Sequence, residues 1–269
     1  MSNITIGIIG NGRFGNLLFQ TFKSSTLFNP KIYSRNAKVD NIMFFSLDEV
    51  CKSDILIPAV PISAFEETIK LISQCIKPNC LIVDVCSVKI HPVNIMLENL
   101  NSYVDILATH PMFGPDSTKN GTTFKNLKFI FSEIRINNIE NKRKSDTFLK
   151  FWKNLGCEMV KLSPEEHDRQ AAYTHAYAFL IGKIGIELGI RKNFISTKGL
   201  ECILYNQTAV EHDTRQLFSD IMRYNPFTKE MRRNFKRALI NIEEKLEDNL
   251  GQKIIQNSTA HYGNKGYYK

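Results

Sequence analysis

The stretch Ile4-Thr5-Ile6-Gly7-Ile8-Ile9-Gly10-Asn11-Gly12-Arg13-Phe14-Gly15 decides the fold. Its first six residues are mostly β-branched and apolar, which reads as a buried strand. The glycines follow at G-x-G-x-x-G spacing, just where the strand gives way to an amphipathic helix expected over Phe14–Lys23. In that context the first Gly makes the tight turn, the second lets a pyrophosphate approach the backbone and the third lets helix and strand pack closely. The helix N-terminus then supplies the N–H groups and dipole that hold the anion. Gly10, Gly12, Arg13, Phe14 and Gly15 are therefore candidate dinucleotide-binding residues.

Outward from this motif, β-rich runs alternate with amphipathic stretches, the pattern of βαβ units and a mostly parallel sheet. Strands are expected at Ile4–Ile9, Lys31–Tyr33, Asp54–Ile57, Leu81–Val85, Asp105–Ala108, Phe129–Phe131 and Glu158–Leu162. Helices are expected at Phe14–Lys23, Ala64–Cys75, Val93–Asn101 and Lys144–Leu155. Ser163-Pro164-Glu165-Glu166 reads as a capping box opening a long helix to about Gly189, and no comparable strand follows. The expected architecture is α/β: a Rossmann-type doubly wound nucleotide-binding domain over residues 1–162, then a smaller all-α domain over 163–250. A polar tail is expected over 251–269. No flexible linker marks the boundary at 163, so the two domains are expected to share an interface.

The 269 residues are 43% apolar and 23% charged, which fits a folded globular chain. Thirty-five Lys and Arg against 27 Asp and Glu leave +8, a surplus suited to an anionic ligand but too scattered to indicate nucleic acid. The six cysteines show no C-x-x-C pair and several lie in apolar runs, so free thiols in a reducing compartment and no metal site are expected. The chain start has no basic leader, and no uncharged apolar run approaches the roughly 18 residues of a membrane span. A cytoplasmic protein is expected. The basic run at Asn141–Lys144 reads as a solvated helix start, and that at Met231–Ile240 as a charged helix packed on its neighbour, because acidic residues follow and its apolar positions recur at helical spacing.

After the second strand comes Tyr33-Ser34-Arg35, where an NAD enzyme usually carries an acid on the ribose hydroxyls. An Arg at that place can pair with a 2′-phosphate, so Ser34 and Arg35 point to NADP over NAD. Two further strand ends carry polar groups, Asp84-Val85-Cys86-Ser87-Val88-Lys89 and Thr109-His110-Pro111-Met112-Phe113-Gly114-Pro115. Ligands in doubly wound sheets bind outside such carboxyl ends.

These segments, with Glu166-His167-Asp168 and Ser196-Thr197-Lys198-Gly199, resemble the prephenate and arogenate dehydrogenases of tyrosine biosynthesis. The likeness covers roughly residues 4–250 and is strongest to the plant-type arogenate branch, whose members carry segments similar to Tyr33–Arg35, His110–Pro115 and Thr197–Gly199. It implies oxidative decarboxylation: hydride leaves the carbinol carbon for NADP, the ring carboxylate is lost, and an aromatic product forms. It also implies a homodimer joined through the helical domain.

The resemblance assigns His110 as acceptor of the hydroxyl proton, with Ser87 hydrogen-bonding the His or the hydroxyl and Lys89 as a substrate-binding residue that helps to place the site. His175 matches a substrate-contacting position at which plant enzymes typically have Gln and many bacterial ones His, which leaves the substrate branch open. Asp213 matches a position where an acid accompanies arogenate preference, since a carboxylate pairs with an ammonium and repels a pyruvyl carboxylate. Arg215 is a candidate anchor for a substrate carboxylate, in a register shifted by one residue. His91 reads as the start of a helix, and His167 and His212 as capping or pairing residues. Other readings are a prephenate dehydrogenase, a silent NADP-sensing module, and a β-hydroxyacid dehydrogenase using Lys183.

Overall fold

The computed structural model describes residues 3–40, 42–118 and 123–262, with 248–262 as backbone. It divides into two compact units, Met1–Pro226 and Phe227–Lys269. The first unit opens with β1 (Ile4–Ile9), α1 (Arg13–Lys23), β2 (Phe28–Tyr33), α2 (Leu47–Cys51), β3 (Ile55–Pro58) and α3 (Phe65–Ile72). It continues with β4 (Leu81–Asp84), α4 (Ile90–Asn99), β5 (Asp105–Pro111), β6 (Lys128–Arg135), α5 (Ile139–Asn154) and β7 (Glu158–Lys161).

The sheet order is β2-β1-β3-β4-β5-β6-β7, parallel except where β6 runs antiparallel to β5. A single parallel bridge from Ile32 to Phe44 lies beyond β2. Counted as a vestigial strand, it restores the 3-2-1-4-5-6 order of a Rossmann sheet for the first six positions. The chain thus reverses its winding at β1, and the carboxyl ends of β1, β3, β4 and β5 share one edge.

Apolar runs in the central strands explain their burial on both faces: Ile55–Pro58, Leu81–Asp84 and Asp105–Pro111 are buried throughout. One side is filled by an aromatic cluster in which Phe22, Phe113, Phe129, Phe148 and Phe151 surround the fully buried Trp152 at centroid distances of 5.3 to 6.3 Å.

No strand follows β7 among the described residues. Pro164 starts α6 (Pro164–Ala171), a π-helical turn (Ala172–Ala176) leads into α7 (Tyr177–Glu187), and α8 (Lys198–His212) and α9 (Arg215–Tyr224) complete the unit. The Ser163 cap forms, its side chain accepting from the Glu166 N–H at 3.2 Å. The expected reciprocal half does not, because the Glu166 carboxylate turns to Gln170 instead, at 3.3 Å. Helices α7 and α8 pack closely because Gly182 and Gly185 carry no Cβ; one added there would meet Val210 at 2.7 Å or Gln207 at 2.8 Å. The second unit holds α10 (Thr228–Tyr262). The stretch expected as a tail from 251 is therefore helical backbone to 262, and 263–269 lie outside the described residues.

The cysteine reading needs one correction. Cys51, at the end of α2, and Cys75, beyond α3, are recorded as a disulfide pair with Cα atoms 5.8 Å apart. Packing of the two helix ends brings together thiols 24 residues apart, a proximity their spacing does not show. Cys80, Cys86 and Cys157 are free and buried, and Cys202 is exposed. Burial pushes the Cys80 thiol up to about 12, so it behaves as an inert apolar group.

Candidate active site

The glycine turn forms as its spacing requires. Gly10 sits at φ +110°, and a Cβ on it would meet the Ala59 carbonyl at 2.4 Å. A Cβ on Gly15 would strike the Gly10 carbonyl at 2.2 Å, whereas Gly12 faces open space. Gly12 is also the N-cap of α1 and provides no side-chain cap, so the first N–H groups of that helix remain open to an anion. This cradle fits a dinucleotide pyrophosphate.

Two cavities flank it. The smaller, about 170 Å³, is lined by Tyr33, Ser34, Arg35, Asn36, Glu67 and Thr68 among others, and lies at the end of β2. Arg35 stands 3.8 Å from Glu67, with both side chains mostly exposed, a contact weak enough to yield to a stronger anion. The larger cavity, about 420 Å³, is lined by Gly12–Gly15 on one side and Ser87 and His110 beneath. His175 from the π turn and Asp213 from the end of α8 complete it. Arg13 does not reach toward the cradle. It donates to the His212 carbonyl at 2.8 Å and to Asp116 at 2.7 Å, tying α1 to the α8 end.

His110 lies at the carboxyl end of β5 and is buried. Burial, then His167, His175 and Lys89, hold its pKa well below 6.5, so its imidazole is neutral. Its Nδ1 lies 2.8 Å from His167 Nε2, and His167 Nδ1 lies 2.8 Å from Asp168 Oδ1. His175 packs against His110 with centroids 5.6 Å apart. Its Nδ1 is sealed from solvent without a hydrogen-bond partner, and burial pushes its pKa down to about 4. Asp213 is half-buried, and that burial raises its pKa against the opposing pull of Arg13.

Two expected substrate contacts are corrected. Lys89 is fully buried and points away from the cavity, its ammonium donating to Asp84 Oδ1 and Oδ2 at 2.5 and 2.6 Å and to the Thr109 carbonyl at 2.5 Å. A carboxylate buried next to β5 captures the nearest cation, so Lys89 braces the β4–α4 loop against the residue preceding His110. Arg215, the first residue of α9, is exposed and does not line the cavity.

Asp220 went unnoticed in the sequence, and His167 was read only as a capping or pairing residue. His167 is buried against His110, and the signal available was the adjacent His167-Asp168 pair on one helix. Asp220 lines the cavity while accepting from the Ser63 N–H at 3.0 Å and from Gln216 at 2.7 Å. His91 lies in the first turn of α4 and stacks on Tyr224 with centroids 4.3 Å apart.

Comparison with known proteins points to the dehydrogenases of the prephenate and arogenate type. The model for the prephenate dehydrogenase nucleotide-binding domain matches residues 34–161, and that for a TYRAAT1-like C-terminal domain matches 185–258. Arogenate dehydrogenase 1, chloroplastic, of Arabidopsis thaliana is 33% identical over 255 residues. The chain is similar to prephenate and arogenate dehydrogenases. That alignment covers 91% of this chain but 39% of the relative. Arogenate dehydrogenase 2, chloroplastic, of the same plant is 29% identical, over 93% of this chain and 72% of its own length.

Among solved structures, prephenate dehydrogenase from A. aeolicus, in complex with hydroxyphenyl propionate and NAD+, superposes with a TM-score of 0.70 at 15% identity, covering 97% of each chain. Synechocystis arogenate dehydrogenase gives 0.64 at 15% identity, over 96% of this chain and 99% of its own. At these identities the match establishes the shared fold, a nucleotide-binding sheet followed by helices. Among the described residues no helix is long and apolar enough to cross a membrane, and no cluster of three His, Cys, Asp or Glu could hold a metal ion.

Proposed function

We propose that the chain oxidatively decarboxylates arogenate to tyrosine with NADP as hydride acceptor. One observation carries this: a single cavity brings the open N-terminus of α1 together with a buried neutral His110, Ser87, an unpartnered His175 nitrogen and Asp213. The bound nicotinamide would accept the hydride. His110 takes the hydroxyl proton as the carbinol becomes a carbonyl, and Ser87 hydrogen-bonds the same hydroxyl. His175 meets a polar group of the substrate ring or side chain, and Asp213 pairs with the arogenate ammonium. Loss of the ring carboxylate then yields the aromatic product, and aromatisation supplies the driving force.

The NADP preference rests on Arg35 and Ser34, which line the cavity at the end of β2 beside a glutamate that holds Arg35 only loosely. A 2′-phosphate offers Arg35 a charge-assisted partner in place of Glu67. The organisation we propose is a nucleotide domain over 1–162, a helical substrate and dimerisation domain from 163 to 250, a homodimer, and a cytoplasmic setting. The deciding experiment measures initial rates of NADPH and NADH formation with arogenate and with prephenate. Faster NADPH formation from arogenate is expected, faster turnover of prephenate would make Asp213 irrelevant to the side chain, and turnover of neither would refute the reading.

A further inference from the structure

Asp168 is fully buried in α6 and collects two main-chain donors from another helix. Its Oδ1 accepts the Lys89 N–H at 2.7 Å and its Oδ2 accepts the Ile90 N–H at 2.9 Å. These are the leading N–H groups of α4, whose own N-cap, Lys89, provides no side-chain cap. Asp168 therefore caps α4 from outside, accepting at both carboxylate oxygens. A carboxylate only accepts, so the 2.8 Å contact with His167 is a donation from His167 Nδ1–H. A neutral His167 then carries a bare Nε2, and His110 Nδ1, 2.8 Å away, must be the donor. The one proton of a neutral His110 is spent there, and its Nε2 keeps the lone pair.

We infer that His167, aligned by Asp168, is a positioning residue that holds His110 in the tautomer protonated at Nδ1, with Nε2 bare for the substrate hydroxyl. The inference deepens the proposed dehydrogenation and rests on His110 being its proton acceptor. As the hydroxyl O–H bond breaks, its proton adds to Nε2, and the resulting imidazolium keeps its Nδ1–H directed at His167, where Asp168 offsets the new charge. A rotated or Nε2-protonated ring could not accept that proton. The ionisable groups facing this pair are Asp168, His175 and Lys89, the last neutralised by Asp84.

The test uses the full chain with 15N-labelled histidine, without ligand, near pH 7.5. Two-dimensional spectra of the wild type should show His110 protonated at Nδ1 and bare at Nε2. In His167→Leu the ring should revert to Nε2–H. In His167→Gln the amide oxygen can still accept from Nδ1–H, and the wild-type tautomer should persist. In turnover, His167→Leu should lose on the order of a hundredfold in kcat, with substrate KM within about twofold, and His167→Gln should recover much of the loss. An Nε2–H His110 in the wild type, an unchanged tautomer in a folded His167→Leu, or equal kcat loss in both variants would overturn the inference. A wild type that turns over neither substrate would instead sink the proposed function, while the tautomer would still be read directly.

Discussion

In the proposed reaction, His110 is the residue on which the chemistry turns. Replacing it with Asn nearly keeps its shape but removes the basic nitrogen, so turnover should fall by roughly two to four orders of magnitude while cofactor affinity holds. More than about a tenth of the wild-type rate would refute the role. The burial that keeps His110 and His175 neutral also couples the site to pH. Both have folded pKa values below 6.5, His175 at about 4, whereas the unfolded chain takes up these protons near 6.5. The unfolded state binds more protons within that window, so the stability they contribute is complete above pH 6.5 and lost as pH falls toward 4. Melting temperatures from pH 7.5 to 4.5 should decline, and His175→Asn should flatten the slope.

At the far end of the cavity, Asp213→Asn should weaken arogenate and improve prephenate by removing a like-charge repulsion. An unchanged ratio of kcat/KM for the two substrates would show that Asp213 does not meet the side chain. That His110, Ser87, His175 and Asp213 line one cavity was legible because each matches a motif or position of the family that the sequence resembles. His167 was not, because its partner is 57 residues away in sequence and only the packing of α6 on the β5 end brings the two rings together. Lys89 was misplaced for the converse reason: nearness in sequence says nothing of the direction in which a side chain points.

At the scale of elements, the glycine turn separates two roles that one motif fuses. Gly15 is required by packing, since a methyl there must displace the Gly10 carbonyl, whereas Gly12 leaves the space that a ligand would fill. Gly15→Ala should therefore lower the melting temperature with or without cofactor. Gly12→Ala should leave the unliganded melt nearly unchanged and erode the stabilisation that added NADP provides. A Gly12→Ala variant as unstable as Gly15→Ala would mean that the turn, not the ligand, sets both requirements.

The central strands were readable because fully buried strands appear as short apolar runs, and all seven strands overlap the runs expected from the sequence. Their ends shifted by a few residues, as with β5 extending through His110 to Pro111 under antiparallel pairing with β6. Helix α2 went unread because five residues carry too little periodicity, although the Ser46 to Glu49 capping box marks it. The π turn at Ala172–Ala176 shifts the register of the long helix just where His175 enters the cavity, and no residue pattern announced it.

For the whole molecule, the open question is what covers its apolar exterior. Leu188, Phe194, Ile195 and Tyr205 are largely exposed around the α7–α8 connection and along α8, and the bulky aliphatics Leu239, Ile240, Ile242 and Leu246 are exposed on α10. In each unit, exposed apolar side chains in such numbers mark a surface that associates, because leaving each in water forgoes about 1.5 to 3 kcal/mol of burial. The simplest partner is a second copy, since a two-fold axis lets one patch cover its own image. Light scattering at micromolar concentration should give twice the 30.9 kDa chain mass. Phe194→Ser combined with Ile195→Ser should shift the population toward monomer without disturbing the nucleotide cradle, which lies on the sheet edge. If the wild type scatters as a monomer, the exposed aromatic and aliphatic residues of α8 need another partner, and the dimer is refuted.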